Sequence, residues 1–345
     1  MKILQVITLS ELGGAQSVVA NLANALCHDY DVIVAAGEGD GKMWNMLDGN
    51  VVIHQCKHLI RKISPIKDVL ALLELRKLYN KYKPDIIHLH SSKAGLLGRL
   101  AFPSHKIVYT VHGFDSVRIA HRNFLPIEKF MQKFCNAIVG VSQYDYNNLI
   151  SEGITHNVSF VYNAIFTPNT ANVIKPKVFD KYQKIVLSIA RVSPQKNHNL
   201  FIDVSRRLPQ YGFIWIGNQE TIENLPSNCH FIGNIPNAAA LCQYADLFCL
   251  PSNYEGLPMV IIEAMSLGNP IVASDVGGVK EIVLNGENGY TLINDVDIFA
   301  SKIEYILSND SLQLEMGAKS KEIFKNRLTI DKMVDGYLKI YNKML

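Results

Sequence analysis

Residues 251–268 read Pro251-Ser252-Asn253-Tyr254-Glu255-Gly256-Leu257-Pro258-Met259-Val260-Ile261-Ile262-Glu263-Ala264-Met265-Ser266-Leu267-Gly268. The stretch changes character at its middle. The first half has the Ser, Asn, Gly and Pro of a loop. The second is an apolar run closed by glycine, the pattern of a buried helix with a C-terminal stop. Pro258 suits the first turn of that helix, and Gly256 lets the backbone approach a ligand. The N–H groups of Leu257, Met259 and Val260 would then point at an anion. Two glutamates stand seven residues apart, Glu255 on the loop and Glu263 about a turn and a half into the helix. A carboxylate among Val260, Ile261, Ile262 and Ala264 is costly unless paired, and it is placed to accept bonds from ribose hydroxyls. The structural alternative is a first-turn acid favouring the helix dipole plus an unrelated exposed glutamate. The apolar run argues against it and for a buried Glu263.

Outward from this stretch the chain repeats strand, loop, helix. Short β-branched runs predict strands at 2–8, 31–36, 51–55, 85–90, 106–111, 137–141 and 158–162, and again at 184–189, 212–216, 230–232, 246–250, 270–273 and 289–292. Helical periodicity predicts helices over 15–27, 66–82, 93–101, 124–135 and 143–152, then 197–208, 237–244, 258–267, 278–284, 296–307, 311–324 and 330–343. The alternation predicts an α/β protein with two tandem, doubly wound parallel sheets and a cleft between the domains. Such sheets bind ligands at the carboxyl ends of their strands. The polar segment 167–182, with Pro168 and Pro176, is the expected linker.

Length and charge agree with this reading. At roughly 150 residues per domain, 345 residues make about two domains. The net charge of +3 is too balanced for a chain whose main partner is nucleic acid. No apolar run is long enough for a transmembrane helix, and the N-terminus lacks the apolar core of a signal peptide. The cysteines at 27, 56, 135, 229, 242 and 249 form no C-x-x-C pair and read as reduced residues of a cytosolic protein. The charge is uneven. Residues 1–170 hold 17 basic and 13 acidic residues, residues 171–345 hold 17 and 18. The excess sits in 55–83, where Lys57, Arg61, Lys62, Lys67, Arg76, Lys77, Lys81 and Lys83 face only Asp68 and Glu74. The segment reads either as a solvated basic helix face or as a patch for an anionic membrane surface.

Other polar residues gather at strand ends. Ser10-Glu11-Leu12-Gly13-Gly14-Ala15-Gln16 joins the first strand to its helix, so its glycines either free N–H groups for a phosphate or simply make a tight connection. It is neither G-x-G-x-x-G nor a P-loop, and so does not support ordinary dinucleotide or ATP binding. His88 and His90 share one strand face, but a metal reading needs a third ligand that the sequence does not supply. His112 follows the strand 107–111 and points toward the expected cleft; a satisfied turn histidine is the alternative. Arg191 and Lys196 lie on one loop after the strand 185–190. Two cations there suit a diphosphate, Arg gripping two oxygens and Lys acting as a point charge, although isolated loop cations are usually solvated. Asp295-Val296-Asp297 matches the D-x-D of metal-dependent transferases of another fold, but its place before a helix is explained by capping.

Glu255 to Met265, with Gly268-Asn269-Pro270-Ile271-Val272-Ala273-Ser274 and Gly277-Gly278-Val279-Lys280-Glu281, resembles the E-x7-E region of retaining glycosyltransferases of the GT-B fold. It looks like the large family four, which includes bacterial capsule, O-antigen and lipid-glycan enzymes. The Gly13-Gly14-Ala15 loop, Asp85 to His90, Thr110-Val111-His112-Gly113, Val141-Ser142 and Arg191 with Lys196 follow in the family's order, so the resemblance covers nearly the whole chain.

The resemblance implies two Rossmann-like domains. Residues 1–168 would bind the acceptor, with the helix over 330–345 crossing back, and 169–329 would bind the donor. Arg191 and Lys196 would hold the donor diphosphate, Gly14 would approach phosphate or sugar, and Glu263 would bind the ribose. Glu255 and the backbone around Gly256–Met259 would hold the donor sugar, with Gly256, Leu257, Met259 and Val260 among the donor-binding residues. His112 would contact the sugar near the reacting carbon. His112, Glu255, Arg191 and Lys196 are thus the candidate catalytic set. Gly13, His90, Ser142 and Asn163 are candidates for the acceptor or the cleft. The family retains configuration and has no firmly placed protein nucleophile; the leaving diphosphate helps deprotonate the acceptor. No cofactor and no metal are implied beyond the nucleotide-diphosphate sugar, with UDP the commonest carrier. The expected partner is a glycan or lipid-linked glycan at the inner face of the cell membrane, met through the basic 55–83 segment and Arg118, Arg122, Lys129 and Lys133. Two alternatives stand beside this: a UDP-sugar epimerase of the same fold, and a nucleotide-sugar-binding protein that has lost catalysis. The chain departs from the family at Tyr162-Asn163-Ala164, often Pro-Asn-Gly, and at Gly217-Asn218-Gln219, commonly Gly-x-Gly.

Overall fold

A computed structural model describes residues 1–171 and 173–345; residue 172, inside the expected linker, lies outside them. The chain divides into two compact units, residues 1–164 with 330–345, and residues 165–329. The division falls after Ala164, slightly before the expected 168/169 boundary.

The first unit carries strands β1 (Lys2–Ile7), β2 (Asp31–Ala36), β3 (Val52–Gln55), β4 (Ile86–His90), β5 (Ile107–Val111), β6 (Ala137–Gly140) and β7 (Val158–Phe160). All pair in parallel, in the order β3-β2-β1-β4-β5-β6-β7. Every residue of β4 and β5 is buried, as expected for strands covered on both faces. Between the strands lie helices α1 (Gly14–Leu26), α2 (Pro65–Tyr82), α3 (Ser92–Ala101), α4 (Leu125–Met131) and α5 (Gln143–Ser151). One helix was expected over 124–135. Instead, a 3-10 turn over Arg122–Phe124 precedes α4 and another over Gln132–Phe134 follows it. Pro126 sits in the first turn of α4, where its missing N–H leaves no bond unmade, and so sets the start of the helix.

The second unit carries β8 (Ile185–Ile189), β9 (Gly212–Ile216), β10 (Cys229–Phe231), β11 (Leu247–Leu250), β12 (Ile271–Ser274) and β13 (Gly289–Leu292), ordered β10-β9-β8-β11-β12-β13 and again all parallel. Helices α6 (His198–Arg207), α7 (Met259–Leu267), α8 (Val296–Leu307) and α9 (Asp310–Arg327) cover it. The segments expected as helices over 237–244 and 278–284 are 3-10 turns at Ala238–Tyr244 and Val279–Glu281. The second, three residues long, is too short to gather i→i−4 bonds. The final helix, α10 (Ile330–Asn342), returns to the first unit.

Both strand orders reverse direction once, between β1 and β4 and between β8 and β11. At such a switch point the loops leaving the two central strands diverge to opposite faces and open a crevice at the carboxyl ends. The loops of Gly13, Gly14 and His90 in the first unit and of Arg191, Lys196 and Glu255 in the second start there, whereas His112, Ser142 and Asn163 follow β5, β6 and β7.

The first sheet has two unlike faces. Leu4, Val6, Ile87, Leu89 and Tyr109 join an apolar core. The alternating residues Gln5, His88, His90 and Thr110 face the other way and are all buried. Tyr337 and Tyr341 of α10 cover that polar face, with hydrogen bonds to Thr110 and His88.

Candidate functional site

In the second unit, the loop after β8 holds Arg191 and Lys196, and the loop after β11 holds Glu255. The fold brings them to one place. Lys196 Nζ donates to Glu255 Oε1 at 2.5 Å, and both side chains are largely shielded from solvent. A second set of bonds fastens the loops. Asn253 N donates to the carbonyl of Gln195 and its Nδ2 to that of Pro194, each at 2.7 Å, and Gln195 Nε2 donates to the carbonyl of Tyr254 at 3.0 Å. Asn294, just past β13, donates to Asn253 Oδ1 at 3.0 Å and accepts from Ser274 Oγ at 2.5 Å. Sequence reasoning missed Asn253 and Asn294, because a loop asparagine carries no signal of which carbonyl it will find.

Gly277 explains the tight packing behind Glu255. Its φ is +58°, and a Cβ there would lie 2.1 Å from the Glu255 carbonyl oxygen. Only glycine fits without moving that loop. The neighbouring Gly278 N donates to the Gly256 carbonyl at 2.7 Å. Leu257 and Met259 are buried and Val260 half-buried. No side chain caps the start of α7 at Pro258.

Arg191 is exposed and Glu263 half-buried. Glu263 was expected to be buried; the residue as a whole keeps some exposure, but its carboxyl is poorly solvated. That poor solvation pushes the carboxyl up to about 7. It has no ion-pair partner among the described residues. Asp295 accepts from the N–H groups of Asp297 and Ile298 at 3.0 Å each and so caps α8. Asn218, at the departure from Gly-x-Gly, accepts from Gly233 N at 2.7 Å and donates to the Glu220 carbonyl at 3.0 Å.

The first unit holds Gly13, Gly14, His90, His112, Ser142 and Asn163. Gly13 is half-buried before α1 and Gly14, its first residue, is exposed. His112 is half-buried, and its Nε2 lies 2.9 Å from Nδ1 of the buried His90. The third histidine that the sequence did not supply is therefore present, but as a hydrogen-bond partner. Both nitrogens of His88 are occupied, Nδ1 by Tyr341 OH at 2.6 Å and Nε2 by Thr110 Oγ1 at 2.7 Å. The three rings do not offer converging lone pairs to one ion. Burial holds His88 and His90 well below the ordinary histidine range and His112 at about 4. All three rings are neutral at neutral pH.

Ser142 is buried and caps α5, accepting from Asp145 N at 3.1 Å. Asp145 in turn accepts from Phe114 N at 2.8 Å, which ties the loop after His112 to α5. Asn163 is buried. Tyr337 and Tyr341 were not singled out in sequence, and Thr110 entered only as the first residue of the Thr110-Val111-His112-Gly113 motif.

Two other groups of three bring metal-capable atoms within 4.8 Å of one another: Cys27, His28 and Asp48, and His54, Cys56 and Glu74. Neither includes a candidate site residue. All six cysteines are free. No described helix is long and apolar enough to cross a membrane.

Comparison with known proteins covers both units. Residues 12–167 match the family described as Glycosyltransferase Family 4, and residues 169–323 match the glycosyl transferases group 1. The UDP-Gal:alpha-D-GlcNAc-diphosphoundecaprenol alpha-1,3-galactosyltransferase of Escherichia coli is 29% identical, the alignment covering 100% of this chain and 97% of that protein. The O-antigen biosynthesis glycosyltransferase WbnH of Escherichia coli is 28% identical over 88% of this chain and 89% of its own. Among solved structures, Alr3699/HepE of Anabaena in complex with UDP and glucose superposes with a TM-score of 0.83 at 20% identity, over 99% of both chains.

Proposed function

This chain belongs to the family 4 and group 1 glycosyltransferases, with a GT-B fold, and from that premise we propose that it transfers a sugar, with retention, from a UDP-sugar to a saccharide carried on a lipid diphosphate. The observation that carries the reading is the Lys196–Glu255 pair at the switch point of the second unit. One cation and one carboxylate side by side suit the two ends of a sugar–phosphate bond. Lys196 and the exposed Arg191 take the diphosphate oxygens, and Glu255 accepts from hydroxyls of the sugar. Glu263 accepts from the ribose, a bond that its neighbours do not provide. Gly14 at the head of α1 and the neutral His112 serve the phosphate and the sugar.

In the reaction, the bond from the anomeric carbon to the diphosphate oxygen breaks and a bond to the acceptor oxygen forms on the same face. The acceptor proton passes to an oxygen of the departing diphosphate. Charge develops on that diphosphate, and the preorganised cations stabilise it there. These side chains supply the positive charge that a divalent metal would otherwise bring, so the proposal includes no metal and no cofactor.

The acceptor class draws on the named substrate of the galactosyltransferase relative, a diphosphoundecaprenol glycan, and the pathway on the O-antigen and capsular polysaccharide roles in the relatives' names. It also draws on the surface of the first unit. Helices α2, α3 and α4 are linked by Lys93–Asp68 at 2.5 Å and Arg99–Glu128 at 2.7 Å. They expose Ile66, Val69, Leu73, Leu100, Ile127 and Phe130, beside the basic residues of 55–83 and 118–133. Apolar side chains amid Lys and Arg suit the interface of an anionic bilayer, which supports the reading of a cytoplasmic enzyme at the inner membrane face.

The test is transfer from a panel of UDP- and GDP-sugars to a synthetic GlcNAc-diphospho-lipid, with the product's anomeric configuration read by NMR. Lys196→Ala and Glu255→Ala are each expected to lower turnover by roughly 10²-fold or more while leaving the circular dichroism unchanged. Unchanged turnover in both variants refutes the site, and an inverted product refutes retention.

A further inference from the structure

His112 meets a buried histidine whose other nitrogen is bare. His90 Nδ1 lies 2.9 Å from His112 Nε2, while His90 Nε2 is buried with no hydrogen-bond partner among the described residues. One of the two facing nitrogens must carry the proton. Were it His112 Nε2, the proton of His90 would sit on Nε2 as a buried N–H without an acceptor, the rarer kind of orphan in folded proteins. With the proton on His90 Nδ1, His90 donates to His112 Nε2, and His112 keeps its own proton on Nδ1.

The surroundings fix His90 on three sides. His88 packs on its ring with centroids 4.0 Å apart, and His112 stacks on it at 5.2 Å. His88 itself is immobilised. The hydroxyl of Tyr341 is buried and has His88 Nδ1 as its partner, so it donates there. His88 therefore carries its proton on Nε2 and donates to Thr110 Oγ1, which also meets Tyr337 OH at 3.1 Å. On the chain side, Ser91 has φ 69° and ψ 150°, a backbone region almost reserved for glycine. Thr8 holds this corner: its N–H donates to Ser91 Oγ at 3.2 Å, and the two hydroxyls lie 2.7 Å apart. Strain of this kind persists only where the neighbours over-determine a position.

We propose that His90 is a positioning residue that fixes His112 as its Nδ1–H tautomer, so that His112 presents a hydrogen-bond donor, not an acceptor, to an oxygen of the donor sugar. The tautomer is a property of the free protein; its use in transfer rests on the proposed role of His112.

The experiment compares the full chain with His90→Phe, His90→Gln and His90→Asn. Phenylalanine keeps the ring stack without the bond. The amide nitrogen of asparagine lies near the place of Nδ1, whereas that of glutamine lies near Nε2. Long-range 1H–15N NMR of the substrate-free protein is expected to show His112 protonated on Nδ1 in the wild type and in His90→Asn, and on Nε2 or mixed in the other two. Turnover is expected to fall by roughly 10²-fold in His90→Phe and His90→Gln, with KM for the donor within about twofold, and to recover in His90→Asn. A wild-type His112 protonated on Nε2, or a tautomer unchanged in a folded His90→Phe, overturns the proposal. So does a tautomer that switches while turnover stays the same, provided His112→Ala itself is impaired. If His112→Ala transfers normally, the role given to His112 fails, and the NMR result alone still decides whether His90 sets its tautomer.

Discussion

Lys196 and Glu255, 59 residues apart in the chain, form a 2.5 Å ion pair between the two loops that leave the central strands of the second unit. Glu255 thus sets a negative charge against Lys196 where, on the proposed roles, a diphosphate would set its own. On those roles a donor would draw Lys196 at least partly off its carboxylate, and the sugar hydroxyls would then occupy the acceptor that Lys196 gives up.

This exchange has an unusual consequence for affinity. Free UDP competes with Glu255 for Lys196 but brings no sugar to replace it. Glu255→Gln is expected to bind UDP about tenfold more tightly than wild type and the UDP-sugar more weakly, since an amide competes for Lys196 far less than a carboxylate does. Isothermal titration with both ligands checks this. Equal loss of affinity for both would mean that Glu255 supports Lys196 and does not compete for it.

Glu263 gives the fold a pH dependence. Its carboxyl is raised from 4.5 to about 7 by poor solvation. A raised acid holds its proton more tightly in the folded chain, so its contribution is most favourable below the unfolded value, where both states are protonated. That contribution is lost as pH rises through about 7, where the folded carboxyl must ionise. Allowing for its partial exposure, the cost at pH 8 is on the order of 2 kcal/mol. Glu263→Gln should therefore raise the melting temperature of the nucleotide-free protein at about pH 8 and change it little near pH 4.5. A shift of the same size at both ends would show that ionisation is not the cause.

Gly277 separates backbone strain from displacement of Glu255. Gly286 also has positive φ, +80°, but nothing lies within 4 Å of a Cβ there. Gly286→Ala should cost about 1 kcal/mol in stability and leave donor binding intact. Gly277→Ala carries the same strain plus the clash with the Glu255 carbonyl, so it should also weaken UDP-sugar binding, by about tenfold or more. Melting curves and titrations of the two variants provide the comparison, and identical binding in both would mean that the Glu255 loop yields without cost.

The membrane reading predicts charge-dependent flotation. The protein should float with vesicles containing anionic lipid and much less with neutral ones. Replacing Arg61 and Lys62 with Glu should lower recovery by about tenfold or more, each basic residue near such a surface contributing about 1 kcal/mol. Equal recovery on both vesicle types, untouched by the substitutions, would leave α2 as an ordinary solvated helix.

Much of this was legible from the chain. Short β-branched and apolar runs such as 185–189 announced buried parallel strands, because such runs suit a sheet covered on both faces. The loops after β8 and β11 were legible as a site through the E-x7-E resemblance. Local sequence could not reveal that Lys196 and Glu255 touch, since that depends on the strand order. Nor did it show the polar face under α10. The segment 330–343 read only as a helix that crosses back, and only its packing turns the hydroxyls of Tyr337 and Tyr341 into partners for Thr110 and His88. The backbone at Ser91 was silent for a similar reason: serine does not advertise a positive φ.

The return of α10 also decides when the histidine site can exist. The second unit is one uninterrupted stretch, 165–329, and can close once Thr329 has left the ribosome. The first is opened by residues 1–164 but finished by residues 330–345, which leave the ribosome only after the whole of the second unit. Until Tyr341 emerges, His88 lacks its donor and the polar face of the first sheet stands open to water. The first unit is thus completed after the second, against the usual order of synthesis. A nonsense mutation ahead of α10 would strike the histidines of β4, encoded upstream of the whole second unit.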